Sequence, residues 1–103
     1  MKRLFFMSNN DLNQIRIFVK VAQLFSFTKA ADALGIEKST VSAKISQLEQ
    51  TLGIRLLERT TRSVRLTEAG SDYLEYCEHA LNTLQQGHDY ISSLSGEPSG
   101  TIR

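Results

Sequence analysis

Apolar residues between positions 12 and 34 recur at three- and four-residue steps, which predicts two successive helices. The first runs from about Asp11 to Leu24, behind polar residues that suit an N-cap. Ser26 is placed to cap a second, short helix, and Gly35 follows that helix as a C′ glycine would. The first helix has one apolar face for the core, made of Leu12, Ile15, Phe18, Val19 and Ala22.

A third helix is predicted after the turn at 35–37, from about Lys38 to Leu52. Its buried face lies within about 40° of one line on a helical wheel at roughly 100° per residue. The opposite face consists of small and hydrogen-bonding side chains and holds hardly a large apolar group. The buried positions are Val41, Ile45, Leu48 and Leu52, and the outer positions are Ser39, Ser42, Ala43, Ser46, Gln47 and Gln50.

From Leu56 to Leu66 the pattern changes to strand, turn and strand, which predicts a small basic wing. Thr67 then caps a long helix from Glu68 to about Ser93, which at ~1.5 Å per residue reaches roughly 38 Å. We expect this helix to be too long to fold back on so small a body and to pair with a second chain. A heptad seam for this dimer is formed by Leu74, Cys77, Leu81, Leu84, His88 and Ile91.

The 103 residues, 41 % hydrophobic and 22 % charged, suit one ordinary globular domain. No run approaches the roughly 18 to 20 apolar residues of a membrane span, and the single cysteine excludes an internal disulfide. We therefore expect a cytoplasmic protein that does not engage membranes. Residues 67–97 contain six acidic residues and no Lys or Arg, whereas residues 1–66 carry a basic excess, so only the first part should approach phosphate.

Two helices joined by a short turn, with a polar outer face on the second, are what reading the DNA major groove requires. The helix-turn-helix spans 27–46, and its outer side chains suit base edges. Basic residues beside helix N-termini and in the wing suit phosphates. For the helix face the alternative is an ordinary solvated surface, and for one wing arginine it is a structural role. The predicted DNA-binding residues are Thr28, Lys29, Lys38, Ser39, Thr40, Ser42, Ala43, Ser46, Gln47, Arg59, Thr61 and Arg62.

Other classes of function find less support. Cys77 and His79 point about 200° apart on a helix, so we expect no metal site there. No nucleophile, base and orienting group can be assembled from the spacings of Ser, His and acidic residues, and no glycine-rich phosphate loop is present, so no enzyme is expected. A winged-helix protein-interaction module remains the alternative function, and it would require apolar groups on the outer face of the third helix.

The ordered set of apolar, Ala-Ala, Leu-Gly and Leu-Thr-Glu-Ala-Gly elements resembles the N-terminal domain of LysR-type transcriptional regulators. The resemblance covers about 60 residues without a gap, together with the long helix. The residues that carry it are Leu12, Phe18, Val21, Ser26, Phe27, Ala30, Ala31, Leu34, Val41, Ser42, Ile45, Leu48, Glu49, Leu52, Gly53, Leu56, Arg59 and the run Leu66-Thr67-Glu68-Ala69-Gly70.

The resemblance implies a mainly α fold, a winged helix-turn-helix with a three-helix core and a two-stranded wing at 9–67, followed by a dimerisation and linker helix at 68–94. It implies a homodimer on double-stranded DNA and a tetramer in the full-length protein. The co-inducer is expected on an effector domain outside this sequence, with 95–103 as hinge and first strand, so no cofactor is expected in this chain. The chain departs from the family at Glu37-Lys38-Ser39 and Ala43, where base preference is set.

Overall fold

The computed structural model describes residues 9–60 and 63–96, and it confirms the predicted fold class. Three helices come first, then a two-stranded antiparallel sheet, then one long helix. The first helix starts two residues before the predicted Asp11, and the third has the predicted bounds. The elements are α1 Asn9–Leu24, α2 Phe27–Leu34, α3 Lys38–Leu52, β1 Leu57–Arg59, β2 Val64–Leu66 and α4 Glu68–Leu94.

The ends of the helices are set by the caps that the sequence indicated. The Ser26 hydroxyl accepts a hydrogen bond from the Lys29 backbone N–H at 3.0 Å, which satisfies a free donor in the first turn of α2. Gly35 and Gly53 end α2 and α3 in the left-handed region, at φ +70° and +75°. Because a side chain disfavours that region, these two glycines fix the turn between α2 and α3 and the exit toward the wing.

The core lies where α1, α2, α3, the wing and α4 meet. Phe18 of α1 and Val41 and Ile45 of α3 are fully buried, as the helical pattern predicted, and Val21 of α1, which that pattern did not include, is fully buried as well. Leu52 is 38 % exposed, so its assignment to the buried face was wrong. It is the last residue of α3 and lies past the part of the helix that packs on the core.

The wing is anchored to the body through backbone groups. Strands β1 and β2 pair antiparallel, with Glu58 opposite Arg65. A carboxylate oxygen of Glu49, on α3, accepts hydrogen bonds from the backbone N–H groups of Leu56 at 2.9 Å and Leu57 at 3.1 Å. The start of the wing is therefore held to the same helix that carries the outer polar face.

Helix α4 begins in close contact with the body. The Thr67 hydroxyl caps it by accepting from the Gly70 backbone N–H at 2.9 Å. A Cβ at Gly70 would overlap the carbonyl oxygen of Leu56, so only glycine lets the helix approach the wing this closely. The rings of Phe18 and Tyr73 then meet at 5.8 Å between centroids.

The first half of α4 thus packs against α1, which corrects the expectation that this helix cannot fold back on the body. Cys77 is 4 % exposed and belongs to the core of its own chain, so its assignment to a dimer seam was wrong. The sequence period identified an apolar face correctly but not the surface that covers it. Leu74 and Leu81 are half-buried against the same core.

The second half of α4 has a different environment. Leu84 is 50 % exposed, Ile91 61 % and Leu94 65 %, and His88 is exposed as well. Among the described helices, none combines the length and the apolar character needed to cross a membrane. The predicted hinge at 95–100 lies mostly outside the described residues, since positions 97 onward are not covered.

Candidate nucleic-acid interface

The outer face of α3 is the centre of the candidate interface. Ser39, Ala43, Ser46 and Gln47 are exposed on it, and Thr40 and Ser42 are half-buried at its sides. The exposed large apolar residue of α3 is Leu52, at its C-terminal end. The face is therefore polar and sterically open along the helix, with hydroxyl, amide and methyl groups available to a ligand.

An open cleft lies on one side of this face, where the first turns of α2 and α3 approach the wing. Thr28, Lys38, Ser42, Arg59 and Thr60 contribute to its walls. The side chain of Glu37 at the N-cap of α3 makes no capping hydrogen bond, so the helix start is not closed by its own cap. Helix N-termini carry partial positive charge and free N–H groups, and Lys38 adds a full charge beside one of them. The cleft is suited to an anion such as a phosphate.

Arg59 connects the wing to α3. Its guanidinium donates to the Ser42 hydroxyl at 2.9 Å and to the Ser46 hydroxyl at 3.4 Å, and it stacks over the Phe27 ring at 4.6 Å from the centroid. Because a guanidinium has five N–H donors, these bonds leave further donors for a phosphate. Arg59 therefore has a structural role as well as a place in the cleft.

Gln14 of α1 was not predicted as part of the site. It is 3 % exposed, and its Nε2 donates to Oε1 of Gln47, on the outer face of α3, at 3.1 Å. A signal was present in the sequence, since Gln14 precedes Phe18 by four residues and Val21 by seven and so shares their buried face. A polar residue at a core position indicates a bonded partner.

Most of the predicted DNA-binding residues within the described part of the chain lie on α3 or in the cleft: Thr28, Lys38, Ser42 and Arg59 line the cleft, and Ser39, Ala43, Ser46 and Gln47 are exposed on α3. Lys29 and Thr28 are exposed at the start of α2. Thr61 and Arg62 lie outside the described residues, so their predicted roles stay predictions. In the ranges 9–60 and 63–96, no group of three or more His, Cys, Asp and Glu is arranged for a metal ion.

Comparison with known proteins identifies the family. Residues 12–71 match the model of the lysR family of bacterial regulatory helix-turn-helix proteins. The chain belongs to this family. It is 46 % identical over 94 residues to an HTH-type transcriptional regulator of Xanthomonas campestris pv. campestris, and 39 % identical over 92 residues to the HTH-type transcriptional activator AaeR of Escherichia coli K12.

These alignments cover 91 % and 89 % of this chain but only 27 % and 30 % of the two relatives. The chain therefore spans less than a third of the length of these LysR-family proteins. The part that it shares with them contains the helix-turn-helix, the wing and most of α4.

Solved structures support the same assignment. The chain superposes with a TM-score of 0.78 on the BenM DNA-binding domain in complex with catB site 1 DNA, at 38 % identity and covering 82 % of this chain and 94 % of that one. For the complex of the CbnR DNA-binding domain with DNA the TM-score is 0.76 at 28 % identity, with 82 % and 97 % covered. The winged helix-turn-helix of this LysR-family chain is thus the fold of domains solved on DNA.

Proposed function

We propose that this chain binds a specific sequence of double-stranded DNA as the DNA-binding domain of a LysR-type transcriptional regulator. The observation that carries the proposal is the outer face of α3, which is exposed, polar and free of large apolar groups up to Leu52. The DNA major groove admits an α-helix, and hydroxyl and amide side chains exchange hydrogen bonds with base edges there. The alternative protein-interaction module would need an apolar patch on this face.

Phosphate contacts complement the base contacts of α3. Thr28, Lys38 and Arg59 line the cleft between the helix starts and the wing, and Lys29, the residue after Thr28, is exposed on α2. Phosphates held in this cleft fix the position of the duplex, while sequence is read by the groups of α3 that reach the bases. The relatives are named as transcriptional regulators, and we infer binding rather than catalysis as the role of this domain.

We further infer that the domain acts as a homodimer through the second half of α4, where Leu84, Ile91 and Leu94 are exposed. Apolar groups repeated on one helix favour pairing with an identical helix. A symmetric dimer places its reading helices in successive major grooves about 34 Å apart, or at a larger spacing where the DNA bends. In the full-length protein we expect a tetramer, with any co-inducer bound outside this chain.

Selection of bound duplexes from a random library, followed by fluorescence anisotropy on the selected site, tests the proposal. With about eight phosphates neutralised per dimer, log K should fall against log salt with a slope near −7. Binding that is equal for selected and scrambled duplexes, or that ignores salt, would refute it.

The position of the interface is tested by Ser42→Glu, which places a charge on the face that meets the DNA and should abolish measurable binding. Ser71→Glu introduces the same group at an exposed site on α4 and is the control. Circular dichroism shows whether each variant keeps its helices. Equal affinity of both folded variants would overturn the placement.

A further inference from the structure

Gln14 is buried at a position where an apolar residue would suit the surroundings. It is the buried polar residue of the described chain, 3 % exposed among Ile15, Phe18 and the other core groups of α1. Its Oε1 atom is inaccessible to solvent and has no hydrogen-bond partner. Burial of an amide is unfavourable when its groups are only partly bonded, so core packing alone does not explain this residue.

The side-chain hydrogen bond of Gln14 leads to the outer face of α3. Its Nε2 donates to Oε1 of Gln47 at 3.1 Å. A glutamine amide offers an acceptor on Oε1 and two donors on Nε2, and a free amide presents either group by rotating about its last torsion. With Oε1 turned toward α1, the Nε2 group of Gln47 is directed away from α1 and remains available on the exposed face.

On the other side of the same face, side-chain acceptor atoms are occupied in the same way and donors are left for a ligand. The hydroxyls of Ser42 and Ser46 accept from Arg59, so each keeps its own O–H to donate outward. Gln14 and Arg59 thus act from opposite sides of α3, and both occupy acceptor atoms. What remains for a ligand on these three side chains is predominantly hydrogen-bond donors.

We propose that Gln14 is a positioning residue that holds Gln47 as a donor toward acceptor atoms of DNA; the proposal rests on the proposed DNA binding. These acceptors are N7 and O6 of a guanine or a phosphate oxygen. Bidentate recognition of adenine by glutamine needs Oε1 and Nε2 together at the base edge. With Oε1 held by Gln14, that mode is disfavoured, and guanine, which offers the two acceptors N7 and O6, is preferred to adenine, which offers N7 alone.

Two substitutions of Gln14 in the full 103-residue chain separate the states of the Gln47 amide. Gln14→Glu as the carboxylate has no donor and accepts only from Nε2, so it turns the Gln47 acceptor outward. Affinity for the selected duplex should fall at least tenfold, which is the loss expected for one good contact. Gln14→Met removes the bond and leaves the amide free to rotate, so affinity should fall about twofold. With Met, adenine should become acceptable where guanine was selected.

Gln47→Ala is the control background. If Gln14 acts through Gln47, neither substitution of Gln14 changes DNA affinity or base preference once Gln47 is alanine. A base-preference change confined to one base pair of each half-site identifies a guanine as the acceptor. An equal loss on all sequences identifies a phosphate, and both results support the donor role.

The inference is overturned if folded Gln14→Met binds the selected duplex with unchanged affinity and unchanged base preference, or if the effect of Gln14 persists in Gln47→Ala. The Met variant keeps this test available if the Glu variant does not fold, because methionine suits an apolar site. If the wild-type chain selects no duplex, the proposed function itself is refuted. If the wild-type chain binds selectively but the Gln14 variants keep its affinity and base preference, only this inference is refuted.

Discussion

Arg59 of the wing donates from Nη1 to the hydroxyl of Ser42 on α3 at 2.9 Å. The same guanidinium reaches Ser46 and lies over the Phe27 ring of α2. One side chain therefore joins the wing to both helices of the helix-turn-helix. The orientation of the wing relative to α3 depends on this residue as well as on the backbone.

Arg59→Ala should weaken binding to the selected duplex about tenfold or more, because it removes a phosphate partner and the brace between wing and α3. The salt slope should become shallower by about one per lost phosphate contact. Arg59→Lys keeps the charge but loses the planar guanidinium, so its affinity should lie between those of the wild type and Arg59→Ala. Arg55→Ala, an exposed arginine outside the cleft, is the control, and an equal loss there would contradict a specific role for Arg59.

Glu49→Ala should lower the free energy of unfolding by about 2 kcal/mol, since two backbone N–H groups at the start of the wing lose a charged acceptor. Urea denaturation followed by circular dichroism measures the change. Glu58→Ala removes a carboxylate from an exposed position of β1 and should alter stability by less than about 0.5 kcal/mol. The role assigned to Glu49 fails if the two variants are equally stable.

Gly70→Ala should destabilise the chain by about 3 kcal/mol, because the new methyl group would overlap the carbonyl of Leu56 and push α4 from the wing. Gly87→Ala is the matched change on the same helix, where an added Cβ meets no atom within 4 Å. That variant should gain roughly 0.5 to 1 kcal/mol, because alanine favours a helix interior more than glycine does. Thermal denaturation of both variants gives the comparison, and a stabilised Gly70→Ala would refute the close approach.

Leu84→Asp should convert a dimer into a folded monomer and reduce affinity for the selected duplex, since one charged group in an apolar pairing surface opposes association. Leu84 is a better probe than Leu81, which also packs against its own core. Sedimentation velocity at micromolar concentration reports the mass. Gln86→Asp, two residues along the same helix, should leave the dimer intact, and a monomeric wild-type chain would count against the proposed dimer.

Burial raises the pKa of the Cys77 thiol above its ordinary value of 9.0, and the charge of Glu78 adds to the rise although a hydrogen bond with Tyr73 opposes it. Below about pH 9 the thiol is protonated in both folded and unfolded chains. Above it the unfolded thiol ionises first, so stability falls as pH rises toward the folded pKa. Cys77→Ala should show a smaller loss of stability above pH 9 in urea titrations, and identical pH slopes would contradict the burial of this group.

The sequence was sufficient for elements whose signals are local. The bounds of α3 follow from its apolar period and from Gly53, and the caps at Ser26 and Thr67 were recognised from single residues. The side of α3 that faces outward was also predictable, because periodicity fixes which residues share a face.

The sequence was insufficient wherever a face has two possible partners. Cys77 lies on an apolar stripe of α4 that periodicity detects, but only the tertiary fold shows that α1 covers its first half. Gln14 was missed because its role depends on a residue 33 positions away. For Arg59 the period of a strand left its direction open, and the contact with Ser42 decided it.

The first half of helix α4 packs against the core and its second half extends beyond the core, so the helix can act as a lever. From Leu81, which still packs against the core, to Leu94 the helix continues for about 20 Å at ~1.5 Å per residue. A rotation of the helix by about 5° at the point where it leaves the body displaces Leu94 by about 2 Å. In the same way, a force applied at Leu94 is transmitted along the helix to the contacts of Tyr73 and Cys77. Such a force therefore acts on the part of α4 that packs against α1, and α1 is the helix that carries Gln14.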